Sequence, residues 1–126
     1  MKLQDFDFRI RNNETERYET NKPLISLLMI DVLTRVAHLN GNKFEIELWT
    51  GIYDKNGKKI YEGDIVKTKS PYDCFLAKVG IHKEGTFYLE SKSRDYIGSL
   101  IYLVKDEGYT IETIGNIHEN PELLKC

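Results

Sequence analysis

The chain has 126 residues, enough for one domain, and its 40% hydrophobic and 30% charged residues mark a globular rather than a disordered composition. Its 18 basic and 20 acidic residues leave a net charge of −2, so the global basic excess of strong nucleic-acid binders is absent. The longest apolar stretch, Leu24–Leu39, is interrupted by Asp31, Arg35 and His38 and falls short of the roughly 20 apolar residues of a spanning helix.

Phe6, Phe8 and Ile10 alternate with Asp7, Arg9 and Arg11, a two-residue period that predicts a strand near 5–11. From Pro23 the period changes. Leu24, Ile25, Leu28, Met29, Val32, Leu33 and Val36 leave Asp31, Thr34, Arg35 and His38 at helical spacing, which predicts one amphipathic helix over 23–39 with a wide apolar face. Pro23 suits its first turn and Asn40-Gly41 its end. Two short buried strands are the rival reading of the same segment.

Strands and turns follow. Phe44, Ile46, Leu48, Thr50 and Ile52 share one face of a strand over 44–53, and Glu45, Glu47, Trp49 and Tyr53 the other. Asp54-Lys55-Asn56-Gly57 is a hairpin signal, since Asn-Gly adopts positive φ at little cost. The return strand covers 59–69 with a tight bend at Glu62-Gly63-Asp64. After the loop Ser70-Pro71-Tyr72-Asp73, further strands are predicted over 75–83, 86–91, 100–105 and 109–117. Asn120 and Pro121 then cap a single helical turn. Six or seven short strands with frequent turns point to a mainly β fold, a small barrel or sandwich, in a single domain over 1–126.

Cys74 and Cys126 lie far apart, and the polar, alternating Lys2–Arg11 is not a secretory leader. Both are therefore expected as free thiols in a reducing, cytoplasmic compartment. No histidine stands at metal-ligand spacing from another or from a cysteine, so no metal is expected. Asp54-Lys55-Asn56-Gly57 superficially opens a calcium loop, but Lys58 and Lys59 occupy the fifth and sixth positions, where an acid or amide and a glycine belong. No phosphate loop is present, and no cofactor is expected. The acid pairs Glu62/Asp64 and Asp106/Glu107 fall in turns, where carboxylates are ordinarily solvated rather than tuned for catalysis. The expectation is a protein that is not an enzyme.

Two surfaces carry functional readings. Lysines crowd the central hairpin beside aromatics, and Trp49, Tyr53, Lys55, Lys58, Lys59 and Tyr61 are candidate contacts for single-stranded nucleic acid. A solubilising surface with cross-strand aromatic pairs is the preferred account of that patch, because a few lysines release few counterions. Leu28, Val32 and Val36 on the helix are candidate self-association residues, because a small barrel leaves part of a wide apolar face uncovered.

Three blocks together resemble the YopX-like proteins of bacteriophages and prophages: Phe6-Asp-Phe-Arg-Ile-Arg-Asn-Asn13, Thr50-Gly-Ile-Tyr-Asp-Lys-Asn-Gly-Lys-Lys-Ile-Tyr-Glu-Gly-Asp-Ile-Val66, and Ile114-Gly-Asn-Ile-His-Glu-Asn-Pro-Glu-Leu-Leu124. The resemblance covers nearly the whole chain. It implies a phage or prophage origin, an SH3-like barrel with additional strands (core about 44–117) and self-association as a homo-oligomer, but no activity and no catalytic residues. Arg11 stands where the family often has an aromatic, and Leu24–Leu39 falls in its variable region. The favoured expectation is a non-catalytic accessory protein that contacts itself or a host or phage protein, with single-stranded nucleic acid as the alternative partner and no membrane.

Overall fold

The computed structural model describes residues 2–34, 43–71 and 73–124. Val36, His38, the predicted helix end at Asn40-Gly41, Tyr72 and Cys126 lie outside the described residues. The fold is mainly β, with strand far outweighing helix. The chain divides into two compact units, Asp7–Leu48 and Met1–Phe6 with Trp49–Cys126.

In the smaller unit β1 (Phe8–Asn12) pairs antiparallel with β2 (Arg17–Tyr18) and with the first half of β3 (Phe44–Tyr53). The first strand begins later than expected, because Leu3–Asp5 forms a 3-10 turn. Alternation along β3 also departs from a simple apolar-in pattern: Ile46 is 46% exposed, whereas Glu47 is 4% exposed. Glu47 is held inside by charge. Its Oε1 accepts from Arg9 Nε at 2.7 Å and from the Tyr18 hydroxyl at 2.8 Å, while the Arg9 guanidinium sits 4.6 Å from the Tyr18 ring centroid.

The helix α1 (Lys22–Thr34) also belongs to this unit. Asn21 caps it, its side chain accepting from Leu24 N–H at 3.1 Å and its carbonyl from Ile25 N–H at 3.0 Å. Pro23 stands in the first turn, where its missing N–H has no helical partner to lose.

The larger unit is built on a five-stranded antiparallel sheet of order β8-β7-β6-β5-β9, curled into a half-barrel. Its strands are β5 (Asp64–Lys69), β6 (Cys74–Ile81), β7 (Phe87–Ser91), β8 (Tyr96–Ser99) and β9 (Thr110–Asn116). The predicted strand 59–69 is divided: β4 (Lys59–Tyr61) returns from the hairpin, and Gly63 at φ +86° bends the chain into β5. That bend is pinned by Gly63 N–H donating to Val79 C=O at 2.8 Å. Alternation sends Val66, Ala77, Val79, Leu89 and Ile111 inward, where they pack with Ile60, Leu100 and Leu103. It is broken at a bulge between Ile65 and Val66, which are both fully buried. Each such buried Val, Leu or Ile contributes about 1.5–3 kcal/mol.

The expected strand over 100–105 does not form. Leu100 and Ile101 are helical and Tyr102–Asp106 is a π-helical turn. Leu100 and Leu103, three residues apart, are both buried against the core, which a helical turn allows and a strand would not. The strand preceding that turn, β8, is instead supplied by Tyr96–Ser99. The terminal turn is present as a 3-10 turn over Pro121–Leu124.

Thr68 points into the core with no solvent exposure, and its Oγ1 has no hydrogen-bond partner among the described residues. A buried hydroxyl without a partner is a cost of about 1–3 kcal/mol. Thr68→Val keeps the β-branched shape and removes the hydroxyl, so urea unfolding is expected to show a gain of about 1 kcal/mol. A loss of stability in that variant would mean the hydroxyl is satisfied in solution.

Candidate functional site

The hairpin between β3 and β4 is organised by two carboxylates. Asp54 Oδ1 accepts from the N–H groups of Asn56 (2.8 Å) and Lys58 (2.9 Å), and its Oδ2 accepts from Thr113 N–H on β9 (3.1 Å). Backbone bonds repeat the tie: Asp54 N–H donates to Lys58 C=O, Gly57 N–H to Asp54 C=O, and Lys55 N–H to Ile111 C=O. Gly57 has φ +80°, the positive-φ turn residue that Asn-Gly predicts. Asp64 Oδ2 accepts from Tyr61 N–H at 2.8 Å across the second bend. Asp54 and Asp64 are 7% and 1% exposed, so Asp64, expected as a solvated turn carboxylate, is instead buried. They replace water with backbone donors, a role for which hairpin residues need no solvent contact.

Burial disfavours the charged form of Asp54, but the donors on Thr113, Lys58 and Asn56 and the charge of Lys58 outweigh it. The carboxyl is therefore held below its ordinary value. A carboxylate so engaged is a clamp.

The aromatic side of the hairpin follows from a bulge between Trp49 and Tyr53, with Gly51 at φ +85°. The bulge brings the two rings into an edge contact at 5.3 Å. The indole N–H donates to Ile52 C=O at 3.2 Å, and Lys59 Nζ lies 4.5 Å from the Trp49 ring centroid. Tyr61 stands opposite Trp49 in the ladder. Trp49, Tyr53, Lys59 and Tyr61 thus share one locality. Lys55 does not join them: its Nζ is 2.9 Å from Glu112 on β9. Lys58 is exposed near Asp54.

The candidate self-association residues lie on α1 as far as it is described. Leu28 is half-buried, Val32 is 51% exposed and Val36 falls outside the described residues. A different row is more open: Leu27, Ile30 and Leu33 are 64%, 55% and 78% exposed. Their spacing of three puts them on one side of the helix, away from half-buried Leu24, Ile25, Leu28 and Met29. The sequence held this row too, but an apolar face this wide does not declare which part of it a chain leaves open.

Among the described residues no helix is long and apolar enough to cross a membrane, and no three His, Cys, Asp or Glu side chains converge as a metal site. Cys74 is a free, exposed thiol.

The family model described as YopX protein matches residues 1–125. Among solved structures, the chain is similar to the crystal structure of protein EF1440 from Enterococcus faecalis, at 26% identity over 94% of this chain and 76% of that one, with a TM-score of 0.47. No curated protein matches the chain.

The Asp54 clamp has a pH signature. Its folded pKa lies below the ordinary 3.8, so its contribution is present above that value and is lost as pH falls through the depressed one. Asp54→Asn is expected to cost about 1–3 kcal/mol at neutral pH. The gap between wild type and variant should narrow below about pH 4 in chemical unfolding. A gap that stays constant down to acid would show that the charge contributes nothing.

Proposed function

The chain belongs to the YopX family, and from that membership and the open face of α1 we propose that it is a non-catalytic, self-associating accessory module. The observation that carries the reading is the row Leu27, Ile30 and Leu33, exposed along α1 with Val32 also open near its end. Exposed apolar surface of a few hundred Å² in one place marks an interface on a soluble chain. A helix as short as Lys22–Thr34 is also marginal in water on its own, so covering its apolar side adds stability that local propensity lacks.

The partner that fits is a second copy. A row of aliphatic side chains at spacing three, with Asp31 four residues from Leu27 at its border, can pack on its own copy about a two-fold axis. Asp54 and Asp64 serve the turns, which supports a structural rather than a catalytic account of the central motif. Family membership is consistent with a phage or prophage protein working in the cytoplasm of its bacterial host.

Light scattering after gel filtration, at micromolar concentrations and above, tests the reading. Wild type is expected as a homo-oligomer whose mass does not change between low and high salt, as an apolar contact requires. Ile30→Asp places a charge in the contact and should yield a monomer with unchanged far-UV circular dichroism. A wild-type monomer at every concentration, or an oligomer indifferent to Ile30→Asp and Leu33→Asp, would remove α1 as the interface.

A further inference from the structure

The curled five-stranded sheet has an outer face as well as a core face. On that face, in register, stand Lys69 and Lys67 of β5, Lys78 of β6, Tyr88 and Glu90 of β7, and Tyr96 of β8. Two of the nearby cations are neutralised: Lys78 lies 3.0 Å from Glu90, and Lys55 lies 2.9 Å from Glu112. Lys67, Lys69 and Lys92 are exposed and form no ion pair among the described residues. Lys67 and Lys92 border a concavity of about 430 Å³ that is otherwise lined by Cys74, Phe75, Leu76, Ser91 and Ser93. Lys67 also lines a smaller one of about 90 Å³ with Lys55 and Lys69. One side of the face is therefore concave and positive.

The other side is aromatic. The His82 and Tyr88 rings stack at 4.1 Å with their planes 22° apart, and Tyr96 inclines towards both at 5.7 and 5.8 Å. Tyr96 is 60% exposed. Tyr88 reaches this position because it lies across Gly80, where a Cβ would come within 2.6 Å of its ring. The pleat thus leaves an open ring beside a stacked pair, with Lys69 and with Lys67, which faces Glu112 across the β5–β9 ladder, one to three strands away.

We infer that this outer face binds single-stranded nucleic acid, with Lys67, Lys69 and Lys92 on phosphates and bases stacking at the His82–Tyr88–Tyr96 cluster. Exposed cations beside open rings are the two elements that sequence-tolerant single-strand binding combines. Tyr96 on β8 is three strand spacings, about 14 Å, from β5. Tyr88 is level with Gly80, four residues or about 13 Å along the strands from Lys67, so cations and rings are spaced for a few nucleotides at the small end of single-barrel sites. An acidic peptide would satisfy the lysines but leave the rings without a role. The face is separate in chemistry from the apolar row on α1, and the inference stands whether or not the chain self-associates.

The test is fluorescence anisotropy with a labelled oligothymidylate of about 12 nucleotides, long enough to cover the face. Wild type should bind at 50 mM salt and lose roughly 20-fold in affinity by 200 mM, as three phosphate contacts on a single strand imply. Lys67→Glu with Lys69→Glu should abolish binding. Tyr96→Ala should weaken it roughly tenfold, with Tyr96→Phe close to wild type, because stacking needs the ring alone. Lys58→Glu in the hairpin should leave affinity unchanged. Lys67, Lys69 and Tyr96 are exposed, so these variants should retain the wild-type melt. Absence of wild-type binding at 50 mM salt would overturn the inference. So would a lysine effect without a Tyr96 effect, which describes a general polyanion or acidic-peptide surface, or a loss centred on Lys58.

Discussion

One carboxylate ties the central motif to the sheet. Asp54 joins the N–H groups of Asn56 and Lys58 in its own turn to Thr113 on β9, so hairpin and half-barrel share one acceptor group. Each bond to a charged acceptor contributes about 1.5–3 kcal/mol net, though bonds on one group do not sum. With the hairpin held there, the bulge at Gly51 and the pairing of Trp49 with Tyr61 occur where they do. Asp64 repeats the device at the next bend. The conspicuous block Asp54–Asp64 is thus a pair of capped turns around one short strand, and its two buried carboxylates accept from backbone N–H groups.

Much of this was legible in advance. Asn56-Gly57 announces its turn because few dipeptides adopt positive φ so readily, and Gly57 does adopt it. The alternation Phe75, Ala77, Val79 against Leu76, Lys78, Gly80 reads directly as one buried and one outer face of β6. Pro23 marks the helix start because only a first turn tolerates it.

What was not legible depended on partners distant in sequence. Leu100–Val104 is too short a run for its period to separate strand from helix, and the core contact of Leu100 with Leu103 decides it. Glu47 reads as a surface residue until Arg9 and Tyr18, from two other strands, converge on it. The lysines around the hairpin look like one patch in sequence. In space Lys59 covers Trp49 while Lys55 crosses to Glu112 and Lys67 and Lys69 join the outer face of β5. The bend at Gly63 separates them, because it carries the chain from the β3–β4 pair into the five-stranded sheet.

The same lesson applies to charge. A net charge of −2 counts every carboxylate equally, yet Asp54, Asp64 and Glu47 are buried and answered by N–H groups or a guanidinium. The guanidinium of Arg9 offsets the charge of Glu47, whereas the N–H dipoles around Asp54 and Asp64 stabilise those carboxylates and leave their charge in place. Glu112 and Glu90 are similarly engaged with Lys55 and Lys78. The lysines left over therefore set the sign of the outer sheet face, although the chain as a whole is slightly acidic. Near-neutral composition excludes a protein basic all over. It does not exclude a basic face a few strands wide, because screening confines each field to about 10 Å at ordinary salt.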